Sequence, residues 1–287
     1  MFAVDSSPHN DRAQACAEPL VRPIEITRAL FAPGRNLGIL QVGVKNRPGS
    51  ISKVTDVISR ASVNVIQLMI TNPSIEKTAT VELLIFVDTT DAALDLEELT
   101  SQLKSIDVVE VVTMLKPQLP NFIADTSYFP TQMLGERFAI FRFPVLRALV
   151  ETIRKMVGSA GVIALYLEGQ AMGRDLFDSY RTQFQEIVAG NDLRIFELMG
   201  SAMGWARFEI INANDENKTA TVRAYDSWEC GIGRKTVAGK NYAQLLRGLL
   251  AGFFTRHFQT EMVAVESKCV AAGDSYCEFN ITKAKED

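Results

Sequence analysis

A short run near the carboxyl end of the chain has the residue types of a metal site. Cys269 and Cys277 lie on either side of a tight turn that begins at Gly273, and Glu266 lies three residues before the first cysteine. Thiolates are soft ligands, and two of them flanking a turn can face one metal ion, with a carboxylate as an oxygen ligand. The spacing therefore favours a structural zinc site.

The spacing leaves two questions open. Free cysteine is also one of the most buried residue types and packs as a small hydrophobe, so the two cysteines on paired strands could belong to a core. A structural zinc site has four ligands, and this run offers three. The fourth would come from Cys230, His257 or water.

The acidic residue, the two cysteines and the aromatic residue after them resemble the closing signature of the V4R (4-vinyl reductase) domain. The resemblance continues through four earlier segments of the C-terminal half, at 143–149, 164–173, 227–230 and 246–253. It implies a small-molecule-sensing domain, as in the effector-binding modules of phenol-responsive activators and in proteins linked to bacteriochlorophyll synthesis.

The same resemblance bears on the metal ligands. In zinc-bound domains of this type a further cysteine lies at the start of the helix rich in small residues, where this chain has Ala243. Full zinc ligation then requires Cys230 in its place. The predicted metal ligands are Cys230, Glu266, Cys269 and Cys277.

A sheet packed beneath an apolar helix can leave a ligand cavity where small and aromatic residues alternate. The alternative for any one such residue is an ordinary core position. Among the candidates, we predict ligand contacts from Trp228 and Phe253. The full set of candidates is Tyr166, Trp205, Trp228, Gly248, Ala251, Gly252 and Phe253.

A second loop, Asn46-Arg-Pro-Gly49, follows an alternating strand and precedes a helix. Glycine has no Cβ, so backbone amides near Gly49 can approach an anion directly. Together with Ser62-Val-Asn64, this loop resembles the ACT domain, over residues 37–116. The resemblance implies sensing of an amino acid or similar metabolite, usually between paired ACT domains. The predicted contacts are Asn46, Gly49, Ser50 and Asn64; alternatively, Pro48-Gly49 only starts the helix, since many ACT domains bind nothing.

Hydrophobic periodicity predicts a β-α-β-β-α-β order in this first domain. That order is the ferredoxin-like split unit, an antiparallel sheet with two helices on one face. Ser50 is the predicted N-cap of the first helix. The strands are predicted at 37–44, 65–72, 78–87 and 108–115, and the second helix at 91–106.

The second domain alternates helical segments with a hairpin, so the whole chain is predicted to be α+β. Gly169 and Gly173, four residues apart, predict close packing of their helix against a neighbour. We predict helices at 144–157, 162–186, 193–203 and 241–258, and strands at 205–212, 219–226, 261–269 and 276–282. The predicted domains are a tail and linker at 1–36, an ACT domain at 37–116, a linker at 117–134 and a V4R-like domain at 135–287.

Composition narrows the function classes. The 287 residues are 47% hydrophobic and 22% charged, which is typical of a soluble globular protein. A net charge of -4 argues against a nucleic-acid surface, and no apolar run approaches the ~20 residues of a membrane span. The start has no secretory signal and four cysteines are too few for a disulfide framework, so we expect a cytoplasmic protein.

Catalytic motifs are missing from the chain. It has no Gly-x-Ser-x-Gly elbow, no Walker A sequence and no dinucleotide fingerprint, and it has two histidines. We therefore predict no catalytic residue and favour a homodimeric, ligand-responsive regulator that acts through a transcription regulator or enzyme as partner. The alternatives are an enzyme or accessory protein for a hydrophobic or tetrapyrrole substrate, and a non-catalytic dimeric scaffold.

Overall fold

The computed structural model describes residues 21–233 and 242–285 of an α+β protein. The chain divides into two compact units between Thr131 and Gln132, inside the segment predicted to be a linker. Residues 1–20 of the predicted tail, including Cys16, lie outside the described residues, as do 234–241 and 286–287.

The N-terminal unit contains the predicted split arrangement. Its central sheet has the strand order β3-β4-β2-β5, with every neighbouring pair antiparallel. The β-α-β-β-α-β order is therefore confirmed. Its elements are β1 (Ala29–Phe31), β2 (Leu37–Lys45), α1 (Ser50–Arg60), β3 (Asn64–Ile70), β4 (Thr80–Asp88), α2 (Leu96–Lys104), β5 (Val109–Leu115) and β6 (Phe122–Ala124).

Both faces of this sheet are covered. Leu40 and Val42 of β2 pack with the helices on one face, whereas Ile39 packs with Phe86 and Ile123 on the other. Strands β1 and β6 pair antiparallel and supply Ile123, which has no exposed surface. Segments predicted as tail and linker thus contribute a second layer, because a strand with apolar residues on both faces needs cover on both.

The C-terminal unit is a four-stranded antiparallel sheet with the order β11-β12-β10-β9 and a set of helices. The predicted hairpin is present as β9 and β10. Helix α6 was not predicted. The elements are β7 (Gln132–Met133), β8 (Glu136–Arg137), α3 (Phe143–Val157), α4 (Ser159–Gln183), α5 (Asp192–Ala202), β9 (Arg207–Asn214), β10 (Thr219–Tyr225), α6 (Trp228–Gly233), α7 (Gln244–Phe258), β11 (Met262–Lys268) and β12 (Cys277–Lys283).

Helices α4 and α7 pack backbone against backbone. A Cβ on Gly169 would lie 2.1 Å from the carbonyl oxygen of Leu245, and a Cβ on Gly248 would lie 2.1 Å from that of Tyr166. The predicted close packing of α4 is confirmed. Gly248 and Gly252, candidates for a cavity lining with a core position as the alternative, face helix α4. Among the described residues, no helix is both long and apolar enough to cross a membrane.

Candidate metal centre and ligand loop

Three elements bring the four predicted metal ligands together. Cys230 comes from α6, Glu266 from β11, and Cys269 and Cys277 from the two ends of the β11–β12 connection. Their ligand atoms all lie within 4.8 Å of one another. The Sγ of Cys230 is 3.2 Å from that of Cys277, 3.7 Å from that of Cys269 and 4.0 Å from Oε1 of Glu266. The three thiols are completely buried.

The β11–β12 connection is shaped by short-range contacts that the sequence encodes. Gly273 has φ 114°, a left-handed conformation that side chains disfavour. Oδ2 of Asp274 accepts a hydrogen bond from the amide of Cys269 at 2.8 Å. The amide of Val270 donates to Sγ of Cys277 at 3.4 Å. These contacts turn both thiols toward the same point.

The arrangement fits zinc in distance and in charge. Ligand atoms about 2.3 Å from a tetrahedral centre lie about 3.8 Å apart, close to the spacings seen here. Hydrogen bonds from Cys230 and Cys277 lower the pKa of the Cys269 thiol, whereas burial raises the pKa of Glu266 to about 9. The opposite pKa shifts of Cys269 and Glu266 are typical of neighbouring acidic groups that cannot all be ionised at once. A divalent cation would compensate their negative charges and let them be ionised together.

The structure also separates the candidates for the fourth ligand. Cys230 lies in the cluster, whereas His257 lies in the last turn of α7 and its Nδ1 contacts Asp192. Ala243, where the family resemblance implies a cysteine, is fully buried, and its backbone hydrogen-bonds the carboxylate of Glu266. The fourth candidate ligand is therefore Cys230 of α6, and Ala243 at the start of α7 lies beside the cluster.

Glu229 is a buried charged residue to which the sequence assigned no role, although it lies in the segment 227–230 that resembles the V4R domain. It has no exposed surface, and burial raises its pKa, while amide hydrogen bonds and Arg154 act in the opposite direction. The local signals are its place in that segment and its position beside a predicted ligand, Cys230. Its role depends on a helix that begins fifteen residues later, so periodicity could not reveal it.

The predicted ligand contacts of this unit lie in different environments. Phe253 has no exposed surface, and its ring lies 4.5 Å from that of Phe196 and 5.2 Å from that of Phe177. Trp228 is partly buried and packs against the same core. Phe253 is therefore enclosed by aromatic rings, and a ligand contact at either residue stays a prediction.

The loop before α1 has an open helix end. Gly49 is the N-cap with φ 87°, no side chain caps the helix, and its first turn has no acidic residue. Ser50 was predicted as the N-cap, but it is the first helical residue, because the left-handed conformation falls on glycine. Its Oγ is buried without a hydrogen-bond partner. Nδ2 of Asn46 donates to the carbonyl oxygens of Ser74 and Glu76, each at 2.9 Å.

Asn64 does not lie near this loop within one chain. It pairs with Asp88, which also pairs with Leu37 at the start of β2. Gly49 lies beyond the other end of β2, whose length is roughly 26 Å at the rise of an antiparallel strand. One chain therefore brings Asn46, Gly49 and Ser50 together and leaves Asn64 at the opposite end of the sheet.

The N-terminal unit also has an open cleft of about 490 Å³ at the Asn64 end of the sheet. Its two cations are paired with carboxylates: Nε of Arg35 lies 3.0 Å from Asp88, and Lys116 contacts Glu97. The sequence patterns do not predict this cleft. Its charges are balanced within the chain, so it offers no uncompensated group to a ligand.

Comparisons with known proteins support the V4R assignment. A V4R domain model matches residues 237–283, a range that includes Glu266, Cys269 and Cys277 but not Cys230. No curated protein gives a significant match to the chain.

Several solved structures resemble parts of the chain. The phenol-responsive sensory domain of the transcription activator PoxR with phenol is 16% identical over 52% of this chain and 78% of that one, with a TM-score of 0.47. A vinyl-4-reductase family protein from Methanocaldococcus jannaschii is 18% identical over 53% and 100%, with a TM-score of 0.31. The ACT domain from GTP pyrophosphokinase of Chlorobium tepidum is 18% identical over 28% and 99%, with a TM-score of 0.23.

Proposed function

We propose that the protein is a non-enzymatic, ligand-responsive regulator whose V4R domain is held together by a structural zinc ion. The observation that carries this proposal is the buried cluster of three thiols and one carboxylate within 4.8 Å. Cys230, Glu266, Cys269 and Cys277 would hold the ion. Zinc supplies the positive charge that lets thiolates and a carboxylate remain close together, and it crosslinks α6 to the β11–β12 connection.

Native mass spectrometry of freshly purified protein tests the zinc site. We expect one zinc ion per chain in the wild type and none in a Cys269→Ser, Cys277→Ser variant, because two of four ligands are lost. Zinc present at a thousandfold excess over its Kd contributes about 4 kcal/mol, so removing it should lower Tm by about 10 °C.

Cys16→Ser is the matched control, because this cysteine is remote in sequence from the predicted ligands. It should retain zinc and Tm. A wild-type protein free of zinc would leave the three thiols as core residues and contradict the metal centre.

We infer that the N-terminal unit is an ACT domain that binds an amino acid. The open start of α1 supports this inference, since helix amides and a buried serine hydroxyl without a partner suit a carboxylate. Asn64 lies at the other end of the sheet, so a ligand touching both Gly49 and Asn64 requires a second copy of the chain. The inference therefore includes a homodimer in which the loop of one protomer approaches the strand of its partner.

Thermal unfolding with each of the twenty amino acids tests this inference. A ligand at 100 times its Kd contributes about 2.7 kcal/mol, which should raise Tm by several degrees. Light scattering of the same samples should give the mass of a dimer. Monomeric protein that no amino acid stabilises would contradict the ligand loop without affecting the zinc proposal.

Regulation would then act through a protein partner, a transcription regulator or an enzyme, in the cytoplasm. The acidic composition disfavours direct nucleic-acid binding. A chromophore that copurifies with the chain would instead favour the enzyme or accessory role with a tetrapyrrole. A protein with neither metal nor ligand would favour the dimeric scaffold.

A further inference from the structure

Helix α7 begins without a capping side chain of its own, and its first turn contains no acidic residue. Glu229 from α6 takes that role. Its Oε1 accepts from the amides of Gln244 and Leu245 at 2.9 and 3.0 Å, and its Oε2 accepts from the amide of Leu246 at 2.9 Å. A single buried carboxylate therefore satisfies three of the four amides that a helix start leaves unpaired.

The fourth amide also goes to a carboxylate. The N–H of Ala243, the N-cap of α7, hydrogen-bonds Glu266. Glu266 belongs to the metal cluster, and Glu229 is the residue directly before the cluster's Cys230. Both groups that hold the start of α7 are thus fixed by the cluster.

Arg154 of α3 supplies a nearby positive charge. Its Nη2 is 3.6 Å from Oε1 of Glu229 and donates to the carbonyl oxygen of Tyr242 at 2.5 Å. Its guanidinium lies 4.0 Å from the centre of the Tyr242 ring, and its side chain is 17% exposed. This contact places a positive charge beside the carboxylate that accepts hydrogen bonds from all three amides.

We propose that Glu229 is a positioning residue that couples metal occupancy to the docking of helix α7. The proposal rests on the proposed zinc site. With metal bound, Cys230 and Glu266 are fixed, and so are the two carboxylates that cap α7. Without it, the metal no longer links α6 to the β11–β12 connection, α6 moves relative to β11, and the amides of Leu245 and Leu246 lose their hydrogen-bond acceptors.

The indirect link between the metal and helix α7 follows from the position of the fourth ligand, Cys230, in this chain. A cysteine at residue 243 would tie the metal directly to α7. Alanine stands there, and the sulfur comes from α6, so the contact between the metal and α7 runs through Glu229 and Glu266. Helix α7 also packs along the glycine contacts with α4, so a change at its start can reach the centre of the domain.

Hydrogen exchange of the full chain, with zinc and after treatment with a chelator, tests the coupling. In the wild type, chelation should speed exchange at residues 245 and 246 about tenfold, because their acceptors are lost. The amide of Gln244 also donates to the carbonyl oxygen of Tyr242 at 2.8 Å, so its exchange should change less. In Glu229→Gln, exchange at residues 245 and 246 should already be fast with zinc bound and should change little on chelation. Transfer of zinc to 4-(2-pyridylazo)resorcinol should reveal a roughly 10- to 100-fold weaker site, as for other residues that orient metal ligands.

Glu261→Gln is the matched control, since Glu261 is a surface carboxylate 2.8 Å from Arg174. It should behave as the wild type in both measurements. If Glu229→Gln does not fold, Arg154→Gln provides the second variant and should show a smaller change in the same direction.

The outcomes separate the two proposals. A wild type that holds zinc but shows equal exchange at residues 245 and 246 before and after chelation would overturn the coupling alone. A wild type that takes up no zinc would overturn the metal centre and the coupling with it.

Discussion

Helices α1 and α7 begin in opposite ways. At α1 the cap is a left-handed glycine with no capping side chain and no acid in the first turn. At α7 the fully buried carboxylate of Glu229, from another helix, accepts hydrogen bonds from three backbone amides. The positive end of the α7 dipole is therefore neutralised by a carboxylate of the same chain, whereas the positive end of the α1 dipole is available to an external anion.

The difference separates two functions within one molecule. A helix end that the chain has closed can act as a fixed support, here for the candidate metal centre. An open end beside a buried hydroxyl can act as a binding site. The comparison predicts that substitutions at α7 change stability, whereas substitutions at the start of α1 change ligand affinity.

Among the substitutions that compare the two helices, the largest effect on stability is expected from Gly248→Ala in α7. The new Cβ would lie 2.1 Å from the carbonyl oxygen of Tyr166, so α4 and α7 would have to separate. We expect a loss of about 3 kcal/mol in the free energy of unfolding, measured by urea denaturation. Gly231→Ala is the control, because its nearest neighbour would be 3.8 Å away. Equal stability of the two variants would show that α7 is not a fixed support.

A smaller loss of stability is expected from Asp192→Asn, because Asp192 contacts His257 in the last turn of α7. Burial acts to raise the pKa of Asp192, but its hydrogen bond and charge interaction with His257 outweigh burial and lower that pKa below 3.8. A lowered carboxyl pKa stabilises the fold above the unfolded pKa, and this contribution is lost as the pH falls through the folded pKa. Asp192→Asn should therefore cost about 2 kcal/mol at neutral pH.

A pH series of unfolding measurements checks the sign of this effect. The difference between the wild type and Asp192→Asn should shrink as the pH falls below 3.8. Asp178→Asn, which breaks a half-exposed pair with Arg256, should have little effect at any pH. A difference that grew in acid would refute the role assigned to His257.

The smallest change in stability, and the sharpest test of the comparison, is Ser52→Glu. An acid in the first turn of α1 should stabilise the helix by about 0.5 kcal/mol and repel a bound carboxylate. The amino acid that stabilises the wild type should therefore bind at least several-fold more weakly, as calorimetry would measure. Ser59→Glu, near the other end of the same helix, should destabilise slightly and leave binding unchanged. If both variants bind equally well, the ligand does not lie at the start of α1.

Local patterns predict much of both units. The alternation in β2 and the helical spacing after Gly49 are set by neighbouring residues, so the order of elements in the split unit follows from the residues alone. Glu266, Cys269 and Cys277 are likewise brought together by one turn. These features depend on contacts within a few residues, which is the range over which sequence patterns are informative.

Long-range contacts account for the features of the structure that the sequence patterns did not predict. Strand β1 pairs with β6, so Leu30 lies opposite Ile123, and nothing in either short segment specifies that partner. Gly248 was a candidate for a cavity lining, with an ordinary core position as the alternative, because a small residue suits both a cavity wall and a helix contact. Only the neighbouring helix, α4, distinguishes the two.

The sequence by itself determined which ligand types the candidate metal site offers, because hard and soft ligands are a property of the residues, and three of them share one turn. It also determined that the first turn of α1 has no acidic residue, which is a local fact, but it predicted Ser50 as the N-cap where the structure has Gly49. Tertiary structure decided that Cys230 joins the cluster instead of His257, that Glu229 caps α7, and that Asn64 lies far from Gly49. Each of these depends on where separate elements meet, and packing of the whole domain fixes those positions.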